Sequence, residues 1–211
     1  MESSQPVTPH RVIVYIDGFN LYFGLKSKRW KRYYWLDMWR LAENLVRRGR
    51  VTAAHYFTAS VRANPPKESR QQAFLAALRV HRPALDIVYG HYLLRPWQCR
   101  KCGHVVKRAE EKKTDVNIAT QLLHDAFRDA FDTAFIVSGD SDLAPPIELV
   151  CTEMTGKRVI VAFPPSRVSA ELKRVATGWF YINQQVIRTA LLPNPVIRAD
   201  GRELWKPEEW R

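Results

Sequence analysis

The stretch Phe135–Val150, "FIVSGDSDLAPPIELV", decides how the chain is read. Its apolar opening has the make-up of a buried strand, and Gly139 ends that strand in a turn. Asp140 and Asp142 follow at once, two residues apart. Pro145 and Pro146 come next, in the first turn of a helical pattern, where a missing N–H removes no helical hydrogen bond. The segment reads as a strand, a turn and a helix, with two carboxylates at the mouth of its own apolar core.

Outward from this unit the same alternation recurs. "RVIVYI" (Arg11–Ile16) is a continuous β-branched run of the kind found in buried parallel strands, and it enters "DGFNLYFGLKS", where Gly18 permits a tight turn. A helix is predicted over Leu36–Gly49, with Leu36, Trp39, Ala42 and Leu45 on one face and Gly49 as its stop. Strands over Val51–Ala59 and from Leu85 flank a helix over Pro66–Arg82. A helix over Thr114–Ala130 precedes the opening unit, and "KRVIVAFPP", "VSAELKRVA" and "WFYIN" repeat the strand–helix–strand rhythm after it. This spacing predicts an α/β fold with a mostly parallel sheet. The expected organisation is a tail over 1–10, a domain over 11–192 with a cysteine-bearing insertion at about 95–110, and an extension over 193–211. Trp205 and Trp210 suggest that the extension docks.

An apolar fraction of 46% in 211 residues excludes a disordered chain. No run approaches the ~18 apolar residues of a membrane span, and "MESSQPVTPH" lacks signal-peptide features. Three cysteines make no disulfide framework, so a cytoplasmic protein is expected. The 33 Lys and Arg against 21 Asp and Glu leave a net charge of +12, which favours a polyanionic partner, nucleic acid first. No membrane association is expected, and a homodimer stays open.

Ligands of open parallel sheets bind beyond the carboxyl ends of the strands. Asp17 follows "VIVYI" directly, and Asp140 and Asp142 follow "TAFIVSG", so three acids share one sheet edge. On the helix from Thr114, a stripe of Val116, Ala119, Leu122, Leu123, Ala126 and Phe127 places Asp115 inward as a fourth. Each acid alone has an ordinary explanation: a turn at Asp17, the helix dipole at Asp115, an N-cap at Asp142. Together they conflict, because two carboxylates ~4 Å apart repel by about 4 kcal/mol at an effective dielectric near ~20. Oxygen ligands select hard ions, so Mg²⁺ or Mn²⁺ is the expected cofactor, and phosphodiester cleavage is the chemistry it would support.

"VIVYIDGFNLYFGL", "EEKKTDVNIATQLLHDAF", "FIVSGDSDLAPPIELV" and "GKRVIVAFPP", in this order over Arg11–Ile187, resemble the NYN domain family of PIN-like metal-dependent ribonucleases. The resemblance implies a Rossmann-like, PIN-like three-layer α/β/α sandwich. It implies that Asp17, Asp115, Asp140 and Asp142 are the catalytic, metal-holding residues, that Asn20 and Ser138 are polar neighbours facing the phosphate or its attacking water, and that single-stranded RNA is the substrate. The family's Glu-Lys-Gly-Val-Asp reads here Glu111-Lys112-Lys113-Thr114-Asp115, which removes a glycine and offers Thr114 as an N-cap. Pro146 also departs from the expected pattern.

In "KSKRWKRYYW", Lys26, Lys28, Arg29, Lys31 and Arg32 interleave with Trp30, Tyr33 and Tyr34, a composition suited to phosphates and unpaired bases. Aromatics pinned to the core would give the same pattern. Cys99, Cys102 and His104 form half of a Zn²⁺ knuckle, for which a hairpin loop with free thiols is the favoured alternative. Two rivals to the nuclease remain: an RNA-binding module of the same fold with little or no cleavage, and a phosphatase using Asp17 as nucleophile. Phe19 stands where the phosphatase would need its second acid.

Overall fold

Strand β1 (Arg11–Asp17) is buried from Val12 to Asp17. Alternation sends Val12, Val14 and Ile16 into one apolar cluster and Ile13 and Tyr15 into another on the opposite face. A strand so enclosed needs a neighbour on each side and a helical layer on each face. In the computed structural model, which describes residues 10–61, 64–98 and 102–211 (91–98 and 105–112 as backbone), it has both.

β1 pairs in parallel with β2 (Arg50–Ala59) on one side and with β5 (Thr133–Val137) on the other. Beyond β2 lies β3 (Asp86–Gln98), and beyond β5 lie β6 (Arg158–Phe163) and β7 (Gly178–Tyr181), all parallel. β4 (Val105–Lys112) closes the β3 edge as an antiparallel hairpin partner. The order β4-β3-β2-β1-β5-β6-β7 reverses direction at β1. The gap between the carboxyl ends of β1 and β5 is therefore the switch point at which such sheets open a crevice.

Helices α1 (Gly18–Ser27), α2 (Met38–Leu45) and α3 (Pro65–His81) contribute Leu21, Leu41 and Leu78 to the first cluster. Helices α4 (Thr114–Phe127), α5 (Ala144–Glu153) and α6 (Ala170–Val175) contribute Ile118, Ile147 and Leu172 to the second. The result is an α/β/α sandwich. Among the described residues no helix is long and apolar enough to cross a membrane.

After α7 (Gln184–Arg188) the chain returns along the first layer. The indole N–H of Trp35 donates to Pro193 O at 2.9 Å, and Val196 of the short hairpin β8 (Val196–Ile197) and β9 (Glu203–Leu204) is buried in the first cluster. Trp210 meets Tyr34 and Phe74 edge-on at 5.6 and 6.2 Å between centroids, and Glu209 pairs with Arg70 at 2.7 Å.

Helix α4 corrects the apolar stripe read from sequence. Val116 and Phe127 are 62% and 85% exposed, and the face that packs on the sheet carries Ile118, Leu122, Asp125 and Ala126. The stripe is displaced because Asp125, a charged residue, occupies a packing position. The Tyr15 hydroxyl donates to Asp125 at 2.8 Å, the Gln121 amide donates at 3.0 Å, and His55 Nε2 lies 3.5 Å away. His55 Nδ1 in turn stands 2.9 Å from Asp86. Burial alone would raise Asp125, but hydrogen bonds with His55, Tyr15 and Gln121 outweigh it and hold the carboxyl at about 2, below the ordinary 3.8. Burial lowers His55, and its bonds to Asp125 and Asp86 more than reverse this, leaving it raised.

The signs fix a testable pH profile. A depressed acid stabilises the fold above its unfolded pKa and loses that contribution as pH falls, here from 3.8 towards 2. A raised histidine stabilises below 6.5 and loses that contribution as pH rises through its folded value. Replacing His55→Ala is expected to destabilise the protein by about 3 kcal/mol, since it strands Asp125 and opens a void beside Tyr15. Denaturant melts should also show that His55→Gln lacks the decline in stability above pH 6.5.

Candidate active site

Asp17 is the last residue of β1 and the cap of α1. Its Oδ1 accepts the Asn20 N–H at 2.9 Å, which orients the helix start. Its Oδ2 accepts the Ser138 hydroxyl at 2.8 Å across the gap to the end of β5. The Ser138 Oγ accepts the Asp140 N–H at 3.1 Å, and the Gly139 N–H donates to Asn20 Oδ1 at 3.0 Å. These bonds stitch the two strand ends together at the switch point. Close approach makes two glycines necessary. A Cβ at Gly18 would stand 2.6 Å from Phe57 O, and one at Gly139 would stand 2.7 Å from the Arg167 carbonyl carbon.

Asp140 caps a 3-10 turn, Ser141–Leu143, by accepting the Asp142 N–H at 3.1 Å, and this turn leads into α5. The capping role considered for Asp142 thus belongs to Asp140, and Asp142 is exposed. Asp115 sits half-buried in the first turn of α4. Thr114 is the buried first residue of that helix and not its cap. The cap position is Lys113, whose φ of 78° lies in the left-handed region that favours glycine. The missing family glycine therefore falls on a backbone that would suit it.

Asp17 lies within electrostatic reach of Asp115 and Asp140, and Asp115 within reach of Asp140 and Asp142. Burial raises Asp17, the Asn20 and Ser138 hydrogen bonds partly oppose this, the charges of Asp115 and Asp140 add to the rise, and the carboxyl ends at about 6. Burial raises Asp115 as well, and Asp140 and Asp142 add to the shift. The donors are carboxylate oxygens under mutual repulsion, which is the chemistry a hard divalent cation answers. Among the described residues no three His, Cys, Asp or Glu side chains are gathered into a finished metal site. The fit is one of donor type and charge.

Other residues singled out from sequence are distributed unevenly. Ser138 is fully buried, with its hydroxyl donating to Asp17 and accepting from the Asp140 N–H. Asn20 is likewise engaged, through both its backbone N–H and its side-chain oxygen. Lys26, Arg29 and Lys31 line a cavity beside α1. Lys28 is exposed outside that lining, and Arg32 stacks on Tyr33 at 4.8 Å away from it. Trp30 packs edge-on against Tyr33, turned towards the core. Cys102 and His104 are exposed, and Cys99 lies outside the described residues. The tyrosine, histidine and aspartate network around Asp125 escaped the sequence reading. Its one signal was Asp125 itself, seven residues after Ile118 and three after Leu122, in helical register with both.

The fold is a layered α/β domain with acidic residues at its switch point. The NYN domain profile matches residues 11–183, so the chain belongs to the NYN domain family, whose members are generally nuclease-like and typically depend on divalent metals. It is 28% identical to 6-hydroxy-3-succinoylpyridine 3-monooxygenase HspA of Pseudomonas putida, over 96% of this chain and 76% of that protein. The fold is also similar to that of a protein of unknown function from Vibrio parahaemolyticus. The TM-score is 0.55 at 19% identity, covering 89% of this chain and 99% of the other.

An acid raised on folding favours the protonated folded state, so Asp17 penalises stability as pH rises from 3.8 to about 6. A shift of that size corresponds to about 3 kcal/mol. Asp17→Asn is expected to remove most of this slope and to leave the protein more stable than its parent at neutral pH in chelator. Equal slopes for the two proteins between pH 4 and 7 would refute the assignment.

Proposed function

We propose that this protein is a divalent-metal-dependent ribonuclease that hydrolyses phosphodiester bonds of single-stranded RNA. The observation that carries the reading is the buried Asp17 at the switch point, within electrostatic reach of Asp115 and Asp140, in a chain with a net charge of +12. A basic surface holds the backbone and an acidic notch receives the scissile phosphate's counter-ion.

Asp17 and Asp140 would hold Mg²⁺ or Mn²⁺, with Asp115 and Asp142 completing its surroundings or orienting the attacking water. Bound there, the ion supplies neutralisation of phosphate charge and acidification of water. Asn20 and Ser138 act as braces: the first ties α1 to the end of β5, and the second fixes the Asp17 carboxylate. Asp17, kept near pH 6 by its surroundings, takes its ionised form readily at neutral pH when a positive charge is nearby.

A second reading takes the chemistry for which the Pseudomonas relative is named, oxygenation of a hydroxypyridine. Its support is the 28% identity running over 96% of this chain. Conversion of 6-hydroxy-3-succinoylpyridine, followed by mass spectrometry, decides whether it applies.

Labelled single-stranded RNA is expected to be cut with Mn²⁺ or Mg²⁺ and left intact in chelator. Asp140→Asn should lower the rate on the order of 10²–10³-fold, the range for losing one preorganised electrostatic group, while RNA binding is retained. Cleavage that persists in chelator would exclude the mechanism, and no cleavage with either metal would favour the binding module. The ion should also raise the melting temperature of the parent and not that of Asp17→Asn.

A further inference from the structure

Beside the acidic crevice lies a cavity of about 810 Å³, the size of a small-molecule site. Tyr22 and Phe19 of α1, Tyr34, Phe74 of α3 and Trp210 of the C-terminal segment supply its aromatic lining. Lys26, Arg29, Lys31, Lys67 and Arg70 also line it. Against these five cations the described lining holds one carboxylate, Glu209, which Arg70 already pairs at 2.7 Å. Gly18 and Phe19, the two residues after Asp17, belong to the same wall.

Walls of this kind favour a planar ring by stacking, and an excess of cations favours an anionic group attached to it. Neither feature serves the carboxylates, which need a cation. We propose, resting on the ribonuclease reading above, that this cavity receives one unstacked nucleotide of the RNA strand. Its base lies against the half-buried Tyr22 and Trp210, and the adjoining phosphates meet the exposed Lys26, Arg29 and Lys67. The C-terminal segment is then part of the substrate site, since Trp210 forms a wall and the Arg70–Glu209 pair fixes it there. A strand held this way starts two residues along the chain from Asp17, so the cavity sets which linkage enters the crevice.

The test uses the full chain carrying Asp140→Asn in chelator, so that binding is read without cleavage. Anisotropy of a short fluorescein-labelled single-stranded RNA, and of an abasic strand of equal length, is followed over a salt series. The expected result is tighter binding of the base-bearing strand, weakened about 5- to 150-fold by Trp210→Ala with the salt slope unchanged. The abasic strand should be indifferent to that substitution. Lys67→Ala, an exposed position on the first turn of α3, should lower the salt slope by about one. Should Trp210→Ala fail to melt cooperatively, the base-bearing against abasic comparison in the parent and the Lys67→Ala slope decide the question.

The proposal is overturned if a cooperatively folding Trp210→Ala leaves binding of the base-bearing strand unchanged, or if both strands bind alike. It is also overturned if 6-hydroxy-3-succinoylpyridine displaces the RNA while nucleoside monophosphates do not, which would make the cavity a site for free aromatic acids. Pocket binding without metal-dependent cleavage in the parent would leave this inference standing and remove the ribonuclease. Cleavage with unchanged binding in Trp210→Ala would do the reverse.

Discussion

The bond between the Ser138 hydroxyl and Asp17 Oδ2, 2.8 Å long and fully buried at the serine, ties the structure to its chemistry. It spans the point where strand order reverses, so it joins the end of β1 to the end of β5. A carboxylate at 4% exposure is tolerated only with such partners, and Asp17 uses one oxygen for α1 and the other for β5. Its position is therefore set from both sides, and the other acids are placed relative to it by the same strand ends. Burial, with the charges of Asp115 and Asp140 adding to it, disfavours the ionised form of Asp17, and a positive charge in the crevice would relieve that cost.

A second buried polar group plays the opposite part. Asp125 is compensated by His55, Tyr15 and Gln121, so its charge is retained and its carboxyl titrates low. Asp17 lacks a cationic neighbour among those that shift it, so its carboxyl titrates high. Both acids lie along β1, one through its partner Tyr15 and the other at its end. Two carboxylates, one on α4 and one at the end of β1, thus show that burial alone fixes neither sign. The partner does: the compensated acid titrates low and the uncompensated one high.

Much of this was legible from the amino-acid order, because strands buried on both faces advertise themselves. "RVIVYI" and "TAFIV" admit no polar face, and their parallel pairing follows from the helices between them. The acids were legible because each ends such a strand or begins a helix. Three features were not. The α4 stripe was misplaced because Asp125 is buried where a hydrophobic residue would be assumed, while Val116 and Phe127 face outward. The left-handed backbone at Lys113 could not be read from a lysine. The cavity walls come from residues as far apart as Phe19, Phe74 and Trp210, and no period in a linear sequence brings those together.

Helix α1 is what connects the two halves of the site. Its N-terminal turn is capped by Asp17, its first residues line the aromatic cavity, and Gly18 lets it lie directly on β2. The Asp17 carboxylate and the cavity are consequently joined through one helix start. A ligand seated among the aromatics bears on the helix whose start Asp17 orients, and a cation among the acids bears on the same turn from the other end. A scaffold of this form sets an acidic strand end and an aromatic, cation-rimmed cavity on one helix, and what the domain does follows from these sites and not from the sandwich itself.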